Sequence, residues 1–222
     1  QNIKVKEEKE MRKKGLLAAL VILVMMVLSG CGMSAEDAQS YAKSVLDANY
    51  KGEFKDYVEW TKSSEKEAKE LYEENIDTTM KESGLNDLGL SEELSANYRQ
   101  MFVDMVKQAK YEVGEAKEAD DDAYSIEITV EPFTGFDGIQ DEVTTKVTEE
   151  VRNMEEIPGE EQINELFYQR MYDIMAERVK NPTFGEKESV TVHVKPDSDG
   201  VYYIPQDELT KLDNTLFPAD NL

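Results

Sequence analysis

Few residues in this chain have the chemistry of a reactive site. The 222 residues include one Cys (Cys31) and one His (His193). A lone imidazole excludes the HExxH helix and His-rich metal sites. A Ser–His–acid relay would have to run through His193, and no Ser stands in a GxSxG elbow. His193 falls in the row Thr191, His193, Lys195, opposite Val190, Val192 and Val194 of one alternating segment, which predicts an exposed or rim imidazole. Ser40-Tyr41-Ala42-Lys43 has the SxxK spacing of an acylated serine, but the SDN and KTG companions are absent. Asp197-Ser198-Asp199-Gly200 invites a calcium loop. With Gly200 in the sixth position, the first and twelfth would be Lys195 and Gln206, which are not acidic ligands, so the segment reads as a hairpin turn. The pairs Glu149-Glu150, Glu155-Glu156 and Glu160-Glu161 read as solvated helix faces. Phosphate-cradling GxxxxGK and GxGxxG patterns are missing. Neither a metal nor a cofactor is expected.

Charge narrows the partners. There are 25 Lys+Arg against 48 Asp+Glu, a formal net charge of −23. Phosphate contacts need clustered bases, so nucleic acid is not an expected partner. Hydrophobic residues make up 40%, enough for a real core.

The single thiol follows an address-like segment. Arg12-Lys13-Lys14 precedes an uncharged run from Gly15 to Gly30. At 1.5 Å per helical residue this run is roughly 24 Å long, short of the roughly 20 apolar residues of a usual spanning helix. A basic segment, an apolar run and small residues make a secretory signal. Leu28-Ser29-Gly30-Cys31 resembles the lipobox of bacterial lipoproteins. The resemblance implies that Leu28, Ser29 and Gly30 are read by the signal peptidase. It implies a diacylglyceryl group on Cys31, which becomes the new N-terminus. Two acyl chains give stable attachment, at about 0.8 kcal/mol per buried CH₂. Met11 stands where such a signal normally starts, so residues 1–10 are expected to be an over-extended start. The expected organisation is then a signal peptide over 11–30, a lipidated Cys with a short tether over 31–34, and one globular domain over 35–217. Removing residues 1–30, with six bases and three acids, takes the net charge from −23 to −26.

The elements that would position any site follow from periodicity. Ser34 caps a helix carrying Ala38, Tyr41, Ala42, Val45 and Leu46, which should end near Gly52. EFKDYVEWT reads as a short second helix. Tyr50, Phe54, Tyr57 and Trp60 fall at intervals of four, three and three, which would gather them into one aromatic group and a candidate pocket wall. Ser64 to Glu67 is a capping box opening a third helix, and Ser91 caps a fourth after a loop. Tyr111 and Val113 suggest a strand, Asp120 to Asp122 a turn, and Tyr124 to Val130 the clearest strand. Two helices follow, around 139–154 and 163–179. The second is so apolar that it should be sandwiched between other elements. Val190 to Val194 and Val201 to Ile204 form a hairpin across 196–200, and QDELTKL a last short helix. The expected class is α+β, helices packed on an antiparallel sheet with a long helical pair inserted between strands.

The opening of this domain carries a second likeness. Tyr50-Lys51-Gly52-Glu53-Phe54, leading into Ser64 to Glu73, resembles uncharacterised lipoproteins of Gram-positive Firmicutes over about 45 residues. The likeness implies an α+β domain of the cystatin-like class, which includes nuclear-transport-factor-like folds with a cone-shaped pocket between helices and curved sheet. It brings no catalytic residues. The expected function is a non-enzymatic binding or interaction module, lipid-anchored on the extracytoplasmic membrane face, for an unidentified protein or small-molecule ligand. Two alternatives stand beside it: a wall or extracellular hydrolase working through acidic residues, and an accessory or sensor subunit of a membrane complex.

Overall fold

A computed structural model describes residues 32–156 and 158–219. Leu28, Ser29, Gly30 and Cys31, with the rest of the expected signal segment, lie outside the described residues. Among the described residues, seven α-helices accompany a four-stranded antiparallel sheet. In chain order they are α1 (Ala35–Leu46), α2 (Lys55–Thr61), α3 (Glu65–Glu82), α4 (Glu92–Val106), β1 (Lys110–Glu118), β2 (Tyr124–Glu131), α5 (Ile139–Arg152), α6 (Glu160–Lys180), β3 (Glu188–Pro196), β4 (Tyr202–Tyr203) and α7 (Gln206–Leu216). The sheet order is β1-β2-β3-β4, and α5 with α6 forms the crossover between β2 and β3. The expected α+β class, with its inserted helical pair, is the observed one.

Local chemistry sets the helix ends. Ser34 and Asp37 form a reciprocal capping box at α1, as Ser64 and Glu67 do at α3. Ser91 caps α4 through the Leu94 N–H. Downstream of α1 the chain widens into a π-helical turn, Asp47–Lys51, and Gly52 stops it at φ 67°, a conformation that favours glycine.

The sheet is one-sided. Ile126, Ile128 and Val130 of β2 and Val190, Val192 and Val194 of β3 are buried, while the intervening residues face water. α1 lies along β1 and α7 along β3, and α3, α4, α6 and α5 continue the packing helix by helix. Among the described residues the core runs from Met33 to Phe217, all within the chain from Gly32 onward.

Two strands differ from expectation. β1 is nine residues long and continues through Gly114, where the register with β2 slips between Val113 and Ala116. A Cβ on Gly114 would sit 2.8 Å from the Glu127 carbonyl oxygen. β4 is shorter than the expected Val201–Ile204 because Val201 N–H is held by Asp197 Oδ1 at 2.9 Å and Pro205 offers no N–H. Met33 also departs from the expected tether: it is 4% exposed, and its carbonyl accepts the Tyr124 hydroxyl.

The β2–α5 connection is closely packed. A Cβ on Gly135 would lie 2.1 Å from Cζ of Phe133, itself 1% exposed and ringed by Phe136, Phe184 and Phe217. Gly185 meets only ordinary contacts. Gly135→Ala should therefore cost about 1–3 kcal/mol by overpacking, and Gly185→Ala well under that, in urea unfolding of the chain from Gly32.

Candidate functional site

A cleft of about 780 Å³ opens where α1 and its π-helical turn pass the free edge of β1. The π-helical turn builds one wall. It turns Asn49 and Tyr50 inward, to 3% and 1% exposure, and leaves Asp47 and Lys51 on the cleft. Asp47 is a junction: one carboxylate oxygen accepts the Tyr111 hydroxyl at 2.6 Å and the other accepts Lys43 Nζ. Lys51 Nζ donates to the carbonyls of Lys107 (2.8 Å) and Ala109 (2.5 Å), where the chain leaves α4. Burial lowers the Lys51 ammonium, with Asp47 and Glu53 opposing.

The sheet supplies the other wall. Lys110 Nζ stands 3.3 Å from Glu131 Oε2 and 3.9 Å from the Phe184 ring centroid, and Lys187 Nζ is 3.2 Å from Glu112 Oε1. Gln39 Nε2 donates to the Val113 carbonyl at 3.4 Å, partly covering the strand edge. Four lysines thus converge in a strongly acidic chain, and each of the three cleft carboxylates answers one of them. This arrangement can hold a polar ligand through fixed donors and acceptors.

The four aromatics expected to gather do not. Gly52 reverses the chain between Tyr50 and α2, so one helical face never runs through all four. Tyr50 packs on Tyr111 and Phe217, Phe54 on Tyr72, and Trp60 edge-on to Tyr41, while Tyr57 is 3% exposed. None of them lines the cleft. The aromatic pocket wall expected here is corrected: Tyr50 and Tyr57 are buried in the core, and the cleft between α1 and the β1 edge is lined by other residues.

His193 is half exposed, as its strand row predicts, and has a partner the row could not reveal. Its Nδ1 is 2.8 Å from Glu208 Oε1, and its backbone N–H donates to Glu208 Oε2 at 2.6 Å. Glu208 thereby closes the outer edge of β3 where β4 is too short to do so. Among the described residues, no group of three or more His, Cys, Asp or Glu is arranged to hold a metal ion, and no helix is long and apolar enough to cross a membrane.

Beneath the π-helical turn lies a buried pair. The Tyr50 hydroxyl donates to Asp213 Oδ1, and Asp213 Oδ2 has no partner. Burial raises the Asp213 carboxyl to about 7 against the opposing Tyr50 bond, and burial first, then Asp213, pushes the Tyr50 hydroxyl well up.

No family model matches this chain, and no curated protein matches it. Among solved structures it is similar to YcdA, a "putative lipoprotein" from Bacillus subtilis subsp. subtilis strain 168. The two are 18% identical with a TM-score of 0.57, over 82% of this chain and 57% of that one. The likeness is one of fold, and this chain spans little more than half of the longer structure.

Asp213 sets a pH dependence. Its folded carboxyl titrates above the ordinary Asp value, so between about pH 4 and 7 the native state keeps a proton that the unfolded chain has lost. Stability therefore falls as pH rises through that window, by at most about 1.4 kcal/mol per pH unit. Asp213→Asn should flatten this part of the profile and be the more stable protein at pH 8. Urea unfolding of both from pH 5 to 8 reads the difference. Parallel profiles would show that Asp213 is not the titrating group.

Proposed function

We propose that this protein is a lipid-anchored, extracytoplasmic binding module that works without catalysis. The observation that carries the reading is the lipobox-like Leu28-Ser29-Gly30-Cys31 placed two residues ahead of a folded core. The likeness of fold to YcdA, described as a "putative lipoprotein", supports it. With Cys31 acylated, only Gly32 would separate the anchor from buried Met33, so the domain would sit close on its anchor.

Its orientation would follow from the strand directions. Met33 is bound to Tyr124 at the start of β2, beside the turn carrying Asp120, Asp121 and Asp122. The cleft includes Glu131 at the far end of β2, roughly 24 Å away at 3.4 Å per residue. The cleft would then open away from the membrane, toward soluble or wall-borne ligands. The pairing of cleft carboxylates with lysines favours holding over proton transfer, and this separates the reading from the hydrolase alternative.

Metabolic labelling with a fatty-acid probe tests the anchor. Wild-type protein should carry the label in the membrane fraction, and Cys31→Ala should carry none. Unlabelled wild-type protein would overturn the reading.

A further inference from the structure

The tip of the α5–α6 hairpin is built like an interior and left half open. α6 is apolar on several sides, which calls for cover on several sides. Its C-terminal half has that cover: Ile174, Met175 and Val179 are buried. Its N-terminal half packs on α5 and α4, yet every residue from Asn164 to Tyr172 remains half-buried. Ile163 (36% exposed) and Met154 (43%), at the end of α5, stand out further. Two adjoining clefts mark the uncovered surface. One, about 580 Å³, is walled by Met154, Pro158 and Leu166, and the other, about 630 Å³, by Ile163 and Phe167.

The hairpin is cross-braced below this tip. Arg170 grips Glu150 through two bonds (2.5 and 3.0 Å) and Asp173 at 2.7 Å. Arg178 joins Glu142 to the carbonyls of Gly135 and Asp137 at 2.7–2.8 Å. On the neighbouring side, Glu165 accepts from Ser91, and Asn164 donates to the Leu88 carbonyl. The open apolar surface is thus held in shape by its surroundings.

Charge names the kind of cover. From Glu149 to Glu165 the only base is Arg152. Glu156, Glu160 and Glu161 line the two clefts, with Glu155 next to Glu156 in the chain, all exposed, and Asp87, Glu92 and Glu93 lie on the adjoining loop and start of α4. Among the described residues none of these seven carboxylates has a cation in ion-pair reach, unlike the carboxylates of the α1–β1 cleft. A second copy of the chain would bring this unmatched acidic ring against itself.

We propose that the α5–α6 tip is a docking surface for an amphipathic helix of a partner protein, one whose apolar stripe is flanked by Lys and Arg. The stripe would cover the side of α6 that the other described residues leave half-buried, and the flanking bases would meet the acidic ring. This goes beyond the anchored-module reading, and its test does not use the lipid.

The probe is an 18-residue Leu/Lys peptide with one apolar face, beside the same peptide with Glu for Lys, titrated against the chain from Gly32 by fluorescence anisotropy. The Leu/Lys peptide should bind, and more weakly as salt rises, while the Leu/Glu peptide should not. Met154→Gln with Ile163→Gln changes no charge and should weaken binding at least tenfold. Leu71→Gln, at the exposed apolar residue of α3 (40% exposed), should leave it unchanged. All substituted residues are exposed, and circular dichroism checks the fold. Equal binding of the two peptides would overturn the proposal. So would wild-type affinity in the double variant, or equal loss in Leu71→Gln. Self-association abolished by the double variant would overturn it in favour of a dimer.

Discussion

The Tyr50–Asp213 bond joins the first helical unit of the domain to the last, 163 residues apart in sequence. It sits where α1 ends, where α7 passes, and where Phe217 and Tyr111 close over the Tyr50 ring. A buried carboxyl is tolerable there only if it is neutral or well satisfied, because burying an ionised one costs several kcal/mol. The fold answers with one strong donor and a raised carboxyl. Everything near the β1 edge inherits its position from this pair, since Tyr50 can face inward only if Asp47 and Lys51 face out.

The π-helical turn is the local device that makes this division. A regular α-helix through Lys51 would place Asp47 and Lys51 one turn apart on the same face, with Tyr50 beside them. The wider turn keeps Asp47 over Lys43 and Tyr111 while Lys51 reaches the carbonyls at the end of α4. The cleft is thus formed where α1, the exit from α4 and the edge of β1 are tied together by two residues of one irregular turn. Such irregularities in helices often coincide with functional sites.

Much of this architecture was legible in the sequence, and the reasons are local. The caps at Ser34, Ser64 and Ser91, the alternation from Tyr124 to Val130, and the stop at Gly52 are each decided within a few residues. What was not legible depends on register or on distant partners. Glu208 meets His193 only because α7 folds back along β3. Lys110 meets Glu131, and Lys187 meets Glu112, only in the register of this sheet. The aromatic series from Tyr50 to Trp60 misled because its spacing presumed one helix, and the chain reverses within it. The cleft that does lie between a helix and the sheet is lined by none of the four aromatics, because their side chains pack into the core instead.

The same acidic composition is used in two ways. Along the β1 edge, carboxylates are spent on lysines, and the result is a matched polar cleft that holds its shape without a ligand. At the α5–α6 tip they are left unmatched around apolar side chains, which lowers the stability of the isolated chain through mutual repulsion and exposed apolar area. General solubility accounts for carboxylates spread over a surface, but not for their collection around Met154, Ile163 and Phe167, since dispersed charge would keep the chain soluble with less repulsion. A helix as apolar as α6 whose N-terminal half is only half-buried among the described residues is a local conflict of the kind that native folds retain where a further layer comes from another molecule.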